Sequence, residues 1–295
     1  MKRLLIVGMV SVTTVAVAET VTVTFAPAAG VTTNVLQVYS DDTALYVAGP
    51  GTVRLNPANS HTGGTTLSGG TLELSGNIPG GNHSPVGSGT FTVAGGTLRG
   101  SGTFGGDIVG TGEFNIEAPD GWSWTGNHSF GAAVTLADGS LTLADGAMTF
   151  SDNLWLGAGG SDVSFTMTGG SITMGSKNPQ FSPKKYAKSR FTMTGGGWNI
   201  ANKRIIVGYQ TTYATNVTDI SGAAAVTNSE YCYVFAGAGN FWSLNVHDGG
   251  LFATKGGLYP NGSGAALDVD VSDGGVLAVS AKGLPLWQTS HRRGH

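Results

Sequence analysis

A turn dipeptide, usually Gly-Gly or Asp-Gly, recurs along this chain from residue 69 onward and constrains its fold more than any other feature. The intervals between successive copies are 26, 43, 31, 26, 27, 26 and 25, and the interval of 43 divides at Gly112 into 17 and 26. A repeat interval of this size is typical of solenoids, in which each repeat is one structural unit stacked on its neighbours. The copies begin at Gly69, Gly95, Asp138, Gly169, Gly195, Gly222, Asp248 and Asp273.

Apolar residues stand at fixed distances from these turns and alternate with polar residues. Phe165 and Met167 precede the turn at Gly169 by four and two positions, and Phe191 and Met193 hold those places in the next repeat. A period of two is typical of a strand with one buried face. We therefore expect the two phenylalanines, and likewise the two methionines, to stack in neighbouring repeats while the threonines between them face solvent.

Two architectures fit a pair of short strands joined by Gly-Gly. The dipeptide can close an antiparallel β-hairpin, or it can form a corner of a β-solenoid in which each strand pairs with its equivalent one coil later. The steady spacing and the recurrence of inward residue types favour the solenoid. We predict an all-β fold, a parallel β-helix with rungs of roughly 26 residues, in which the corner glycines have positive φ angles.

The composition agrees with an all-β repeat protein. Of the 295 residues, 49 are glycine, 40% are hydrophobic and only 11% are charged. This apolar content distinguishes the chain from a disordered Gly/Ser linker, and the glycines suit many tight turns. Cys232 is the single cysteine, so an internal disulfide and a Cys-rich zinc site are excluded. Its place between two tyrosines favours a position on a strand face over a catalytic role.

The N-terminus has the pattern of a secretory signal peptide. Lys2 and Arg3 precede an apolar run shorter than the roughly 20 residues that a membrane-spanning helix needs. Ala16-Val17-Ala18 is an A-x-A cleavage site, so we expect cleavage after residue 18, which leaves 13 basic and 18 acidic residues. This acidic balance argues against a nucleic-acid partner, and no later segment is apolar enough to form a transmembrane helix.

The sequence divides into four predicted segments. Residues 1–18 form the signal peptide, and residues 19–58 form N-terminal strands or a cap that protects an open sheet edge. Residues 59–280 carry the solenoid repeats. The pattern stops after Ser280, so residues 281–295 are expected to form an irregular tail.

One stretch resembles a known family. The segment NSHTGGTTLSGGTLELS, from Asn59 to Ser75, resembles the autotransporter-associated β-strand repeat, with His61 at a position where that repeat usually has tyrosine. The segment AGGTLRGSGTFGGDIVGTGEF, from Ala94 to Phe114, resembles the region that follows this repeat. The residues that fit the repeat are Asn59, Thr62, Gly63, Gly64, Thr65, Thr66, Leu67, Gly70, Thr71 and Leu72.

This resemblance implies a secreted passenger with a right-handed parallel β-helix, found on or shed from bacterial surfaces. Complete autotransporters also carry a C-terminal β-barrel translocator. The sequence contains no segment that resembles such a barrel or a C-terminal sorting motif. We therefore expect a passenger-like fold and make no prediction of self-translocation.

Trp122 and Trp124 are the residues that we predict as a ligand surface. They share one strand face by the period of two, and exposed aromatic rings offer the flat apolar area that suits sugars. A place in the core, or in a loop packed on the solenoid, is the alternative for this pair. The same two interpretations apply to Tyr231, Tyr233 and Phe235.

Three groups of charged residues are further candidates, each with a solvated strand, turn or loop position as the alternative. The first can supply a pair of acids for polysaccharide cleavage, and the second can ligate calcium. The third forms a basic loop, marked by two prolines, that can contact anionic polysaccharide or lipid headgroups. The groups are Asp107, Glu113, Glu117 and Asp120; Asp268, Asp270 and Asp273; and Lys177, Lys184, Lys185, Lys188 and Arg190.

These patterns favour an exported, non-enzymatic β-solenoid that serves as a surface or extracellular scaffold, or as an adhesin-like passenger. No catalytic residue, metal site or cofactor is predicted. A carbohydrate-active β-helix, such as a polysaccharide lyase or hydrolase, is the first alternative, and it requires acids with Arg or Lys converging in a groove. A glycan-binding module that uses Trp122 and Trp124 is the second. Surface glycans or other extracellular polymers are the expected partners.

Overall fold

The chain folds into a right-handed parallel β-helix. The computed structural model describes residues 20–55, 59–78, 84–157, 160–201 and 203–280, and within these ranges it contains thirty β-strands and no helix. The predicted signal peptide and C-terminal tail lie outside the described residues. No described segment is a helix long and apolar enough to cross a bilayer.

Most coils contribute strands to three faces, which we number in the order in which the chain visits them, whereas the first two coils have described strands on faces 1 and 2 alone. Face 1 is a twelve-stranded parallel sheet. Its strands are β1 (Thr22–Phe25), β3 (Ala44–Val47), β5 (Thr65–Leu67), β8 (Phe91–Val93), β11 (Ile108–Gly110), β13 (Asn127–Phe130), β15 (Ala147–Phe150), β18 (Ser171–Met174), β21 (Gly197–Ile200), β24 (Ala225–Asn228), β27 (Leu251–Thr254) and β30 (Val276–Val279).

Faces 2 and 3 together form an eighteen-stranded sheet, because β12 (Phe114–Trp124) and β14 (Val134–Leu143) each run from one face onto the other. The other strands of face 2 are β2 (Thr32–Val35), β4 (Thr52–Leu55), β6 (Thr71–Leu74), β9 (Gly96–Gly100), β16 (Leu154–Leu156), β19 (Pro179–Phe181), β22 (Ile205–Val207), β25 (Cys232–Phe235) and β28 (Leu258–Asn261). The other strands of face 3 are β7 (Asn77–Ile78), β10 (Gly102–Phe104), β17 (Asp162–Met167), β20 (Lys188–Met193), β23 (Thr215–Ile220), β26 (Asn240–Val246) and β29 (Ala265–Val271).

The strand pairing excludes the hairpin architecture and confirms the solenoid. Every pairing between described strands is parallel and joins a strand to its equivalent in the next coil; the isolated bridge between Asn59 and Ser84 is antiparallel. Phe165 pairs with Phe191 and Met167 pairs with Met193, as the inward alternation predicts. All four side chains are buried, so equivalent residues of successive coils form continuous columns in the core.

The turn dipeptides lie at three different corners of the coil. Those at Gly69 and Gly95 separate face 1 from face 2, the one at Asp138 lies between faces 2 and 3, and those from Gly169 onward separate face 3 from face 1. The longest interval between dipeptides therefore includes a change of corner as well as complete coils.

The division of this interval at Gly112 is only half right. The interval from Gly95 to Gly112 is confirmed as one coil. Phe91 pairs with Ile108, its equivalent in the next coil, and this pair has the same separation in sequence as Gly95 and Gly112. The second part is wrong, because the next coil is already complete when Ile108 pairs with His128. That step is shorter than the distance from Gly112 to the following dipeptide at Asp138.

Coil length changes along the solenoid. The coils are shorter from β8 to β15, where Phe91, Ile108, His128 and Met148 are successive equivalents. They lengthen from β15 to β30, where the successive equivalents are Met148, Ile172, Trp198, Val226, Phe252 and Leu277. The rungs of roughly 26 residues that the repeat interval predicts are thus most regular in the C-terminal half. The extra residues are inserted between strands, because the pairing register continues from coil to coil.

The corner glycines adopt the positive φ angles that the sequence predicts. Gly70 has a φ of 67°, and Gly170 has a φ of 69°. A Cβ atom on Gly70 would lie 2.1 Å from the carbonyl oxygen of Gly49 in the preceding coil. Glycine is required there both by the left-handed backbone and by the close approach of two coils.

Strands of the predicted N-terminal segment belong to the same sheets as the repeats. In that segment, β1 pairs with β3 on face 1 and β2 pairs with β4 on face 2. The next strands, β5 and β6, continue these pairings into the repeat region. A capping role for residues 19–58 stays a prediction.

Candidate functional site

The predicted tryptophan pair lies in the core. Trp122 and Trp124 are 1% and 0% exposed, and their rings meet edge to face with centroids 5.1 Å apart. The expectation that they are exposed is therefore wrong, although they do share a face. Gly100, in the preceding coil, explains the placement, because a Cβ atom there would lie 2.5 Å from the Trp122 ring. The missing side chain leaves space for the indole, and no ring face remains for a glycan.

The predicted acids do not converge. Glu117 forms an ion pair with Arg99, and Asp107 Oδ1 accepts a hydrogen bond of 2.7 Å from the backbone N–H of Asn127. Asp268 and Asp270 are exposed on β29. Within the described ranges, no three His, Cys, Asp or Glu side chains are placed to hold a metal ion.

Cys232 faces inward from β25 and is fully buried. Its Sγ lies 3.7 Å from the Thr254 hydroxyl. Burial raises the pKa of this thiol to about 12, so it is protonated at neutral pH. A protonated, enclosed thiol has a structural role, in agreement with the strand-face position predicted for it.

A cleft on the outer surface of face 2 does bring predicted residues together, and we call it the basic groove. It has a volume of about 700 Å³ and extends across β16, β19, β22 and β25. Its walls come largely from the turns between face 2 and face 3, at residues 182–187 and 208–214. Its lining includes Trp155, Lys177, Gln180, Lys184, Lys185, Arg204, Ile206, Tyr209, Gln210, Thr211 and Tyr233.

The floor of the basic groove is one outward-facing column of side chains. Trp155 pairs with Gln180, Gln180 with Ile206, and Ile206 with Tyr233, one residue per coil. Tyr259 continues the column in the next coil. Gln180, Ile206 and Tyr233 point away from the core, yet each is buried because the groove walls cover them.

Aromatic rings are concentrated around this column. Tyr233 stacks on Tyr259 with ring centroids 5.9 Å apart, and Tyr231 meets Tyr259 edge to face at 5.8 Å. Tyr209 meets Phe235 edge to face at 5.3 Å. Of the chain's 8 tyrosines, all but Tyr39 and Tyr46 fall between residues 186 and 259. Tyr231, Tyr233 and Phe235, for which the sequence leaves a ligand surface and the core as alternatives, thus belong to this outward face, in contrast to the buried tryptophan pair.

The basic groove is cationic on a chain whose formal net charge is −3. Lys177, Lys184, Lys185 and Arg204 line it, and its lining contains no carboxylate. Lys184 Nζ lies 5.9 Å from the centroid of the Trp155 ring. None of the four cations forms an ion pair with another described residue, whereas the other described arginines, at 54, 99 and 190, each pair with an acid.

The two turns that form the walls have strained backbones. Ser182, Tyr186, Gln210 and Tyr213 have φ angles of 50°, 61°, 52° and 57°. Positive φ is rare for a bulky residue such as tyrosine, and such strain concentrates at functional sites. The rings of Tyr186 and Tyr213 stack at 5.4 Å and are more than half exposed.

Buried polar side chains fix these turns. Asn240 Nδ2 donates to the carbonyl oxygens of Gly208 at 3.2 Å and Thr211 at 2.8 Å, and Asn240 Oδ1 accepts from Ala214 N at 3.0 Å. Ser182 Oγ donates to Thr215 O at 2.6 Å and thereby ties the first turn to β23. The solenoid interior therefore holds the walls of the basic groove in one conformation.

The predicted basic loop divides between two faces. Lys177, Lys184 and Lys185 line the basic groove, whereas Lys188 and Arg190 belong to β20 on face 3. Sequence patterns did not single out Trp155, Arg204 or Tyr259. Trp155 and Tyr259 belong to one outward column of face 2, and Arg204 stands two residues before Ile206 of that column. These relationships become visible only when strand register is known.

The family-like segment near the N-terminus has its own polar cluster. Asn59 Oδ1 accepts a hydrogen bond of 2.7 Å from Tyr39 N, and Asn59 Nδ2 donates to Pro85 O at 2.8 Å. His61 Nε2 lies 2.9 Å from Thr65 Oγ1, which donates to the carbonyl oxygen of Val86. These contacts tie residues 59–65 to the preceding coil at Tyr39 and to the following coil at Pro85 and Val86.

The same segment carries the family relationship. Residues 45–74 match the passenger-associated-transport-repeat family. The match runs from β3 to β6, and it confirms the resemblance that begins at Asn59. No curated protein and no solved structure was found to match the chain. The passenger-associated-transport repeat ends well before the basic groove, which therefore lies in a part of the solenoid that the family match does not cover.

Proposed function

We propose that this chain is an exported, non-enzymatic scaffold of the autotransporter-passenger type, whose solenoid presents a binding face outside the cell. The observation that carries the proposal is the passenger-associated-transport repeat at residues 45–74. Its strands β3 and β5 on face 1, and β4 and β6 on face 2, belong to sheets that continue to the last described strands. The repeat is thus an integral part of the coil, as expected for a passenger built from such units.

Adhesion by display is the mechanism that fits this architecture. Each coil hydrogen-bonds along its length to the next, so the outer side chains keep fixed relative positions. A fixed array of side chains can bind an extended polymer with little loss of its own conformational entropy. The basic groove is the part of the described surface that best suits such binding.

A hydrolytic role has less support from the geometry. Hydrolysis of a glycosidic bond ordinarily requires two carboxyl groups on either side of that bond. The lining of the basic groove contains none, and Glu113 lies in the adjacent cleft on the other side of Trp155. These positions favour binding over glycoside hydrolysis in the proposal.

Export is tested by expressing the full chain in a bacterial host and measuring where it accumulates. We expect the exported protein to begin at Glu19, which intact-mass measurement would detect, and deletion of residues 2–18 to retain the protein in the cytoplasm. A variant with Lys2 and Arg3 both changed to Glu is the matched control, because it weakens the signal without shortening it. Equal export of the deleted and full-length chains would contradict the proposal.

A further inference from the structure

We propose that the basic groove binds an acidic polysaccharide, that is, a chain of pyranose rings bearing carboxylate or sulfate groups. This inference goes beyond the scaffold function and does not depend on export, since it concerns the purified protein. It rests on three features that coincide in this one cleft: unpaired cations, aromatic rings and turns held in a strained conformation.

The cations supply the first step of the argument. Lys177, Lys184, Lys185 and Arg204 are all exposed, line the same cleft and lack ion-pair partners among the described residues. A cluster of like charges is unfavourable for the free protein and becomes favourable when an anion enters. Arginine binds carboxylate and sulfate through two parallel hydrogen bonds, so Arg204 is the anchor that we expect for one acidic group.

The aromatic rings supply the second step and distinguish a sugar from a simple anion. Trp155 and Tyr209 line the groove and are half-buried, so part of each ring is open to a ligand. Beyond the wall, Tyr186 and Tyr213 present a stacked and exposed pair. The apolar faces of pyranose rings pack on such flat surfaces, whereas phosphate or chloride gains nothing from them.

The turns supply the third step, because they pre-organise the site. Tyr186 and Tyr213 hold positive φ angles that cost free energy unless the surroundings impose them. Asn240 and Ser182 tie the turns that carry these tyrosines to the solenoid interior through the hydrogen bonds described above. A ligand therefore meets walls that are already ordered, which lowers the entropic cost of binding.

The repeat distance of the groove also matches a polymer. The groove crosses successive coils at intervals of about 4.8 Å, so the run from Trp155 to Tyr233 covers about 14 Å. In a polysaccharide chain, the distance between successive sugar rings is comparable to this distance between successive coils. Successive sugars can thus meet successive coils, with their charged groups directed toward the cationic walls.

The experiment measures binding of the purified full chain to matched polymers by calorimetric titration. Polygalacturonate and dextran sulfate are the two acidic glycans, and their controls are methyl-esterified polygalacturonate and unmodified dextran. Poly-glutamate tests charge without sugar rings, and vesicles of anionic phospholipid test a membrane surface. We expect at least one acidic glycan to bind at least about tenfold more tightly than its neutral control and than poly-glutamate, with an affinity that falls as salt rises.

Single variants locate the site. Arg204→Ala and Lys184→Ala are each expected to weaken binding about tenfold, and Tyr209→Ala about three- to tenfold. Lys188→Ala is the matched control: this exposed lysine lies in the same basic segment but on face 3, and we expect less than a twofold change. Arg204→Lys keeps the charge and loses the paired hydrogen bonds, so it is expected to lie between the parent and Arg204→Ala.

Three results of the polymer titrations would overturn the inference. These are equal affinity for poly-glutamate and the acidic glycans, preference for the vesicles, or the absence of binding to both acidic glycans. Equal effects of the variants at 184 and 188 would likewise place the binding surface elsewhere. Each result can be obtained whether or not the export experiment succeeds, so failure of one proposal is separable from failure of the other.

Discussion

The imidazole of His128 packs against the indole of Trp124 with ring centroids 4.9 Å apart, and neither of its nitrogens has a hydrogen-bond partner among the described residues. Phe130 and Phe104 complete the enclosure, each 6.4 Å away. A histidine in such surroundings is held in its neutral form, because the charged form would lose its hydration.

The first prediction is that acid destabilises the solenoid through His128. Burial lowers its pKa from 6.5 to about 4, although Asp107 acts in the opposite direction. Above pH 6.5 the residue is neutral in both states; as the pH falls from 6.5 toward 4, only the unfolded state binds the proton, so stability is lost. The loss is about 3 kcal/mol, measured as the change in unfolding free energy by denaturant titration.

His128→Phe isolates this contribution, because phenylalanine fits the aromatic surroundings and does not titrate. We expect the variant to lose about 3 kcal/mol less than the parent between about pH 7 and pH 4. Thr192→Ala, which removes no titratable group, is the control and should behave as the parent does. An acid response of His128→Phe identical to that of the parent would contradict the prediction.

The second prediction concerns the core column. Phe191 has ring contacts with Phe165 at 5.7 Å, Phe181 at 5.7 Å and Trp198 at 4.6 Å. Phe191→Ala removes these contacts and leaves a cavity, so we expect a loss of about 3–5 kcal/mol in unfolding free energy. Thr192→Ala, at the neighbouring outward position, should change stability by less than about 0.5 kcal/mol. Similar losses for both variants would show that the column is not the stabilising element.

The third prediction tests the close approach of the coils. Gly70→Ala places a methyl group 2.1 Å from the Gly49 carbonyl oxygen in addition to imposing a positive φ on alanine. We expect a loss of at least about 2 kcal/mol in stability. At Gly30 the φ is also positive, 75°, but a methyl group would meet nothing within 4 Å. Gly30→Ala should therefore cost only about 1 kcal/mol, and thermal unfolding of the pair separates contact from backbone strain.

The fourth prediction concerns the single thiol. Because Cys232 is enclosed and its pKa is raised to about 12, we expect it to resist alkylation at about pH 8 in the folded protein and to react at once after unfolding in denaturant. Labelling followed by mass spectrometry provides the measurement. Rapid labelling of the folded protein would mean that β25 opens readily. Phe252→Ala, in the next coil and buried, should accelerate labelling, whereas Lys255→Ala, which is exposed, should not.

The repeat pattern predicted the architecture because stacking imposes the same inward residue at the same place in each coil. Phe165 and Phe191 show this directly, since their identity predicted their pairing. The sequence did not reveal which corner each turn dipeptide occupies, because a glycine with positive φ satisfies any corner. Asp138 and Gly169 therefore follow one series in the sequence although they lie at different corners of the coil.

Burial of the tryptophans and the position of the groove were harder to predict. A period of two assigns Trp122 and Trp124 to a common face, but it does not say whether that face points into the core. Gly100, the small residue that leaves space for the Trp122 ring, belongs to another coil. Trp155 and Tyr233 lie far apart in sequence and meet only through strand register. Properties that depend on neighbouring coils are therefore beyond the reach of local patterns.

The unequal coil lengths have a consequence for how such a surface can diversify. From β15 onward the coils gain residues at the corners while the strands keep their partners, and the walls of the basic groove are among those added residues. An insertion or deletion at one corner can thus change the outer surface of one coil without disturbing the strand pairing of the neighbouring coils. Loop exchange between individual turns of this protein is accordingly a practical route to new binding specificities on an unchanged frame.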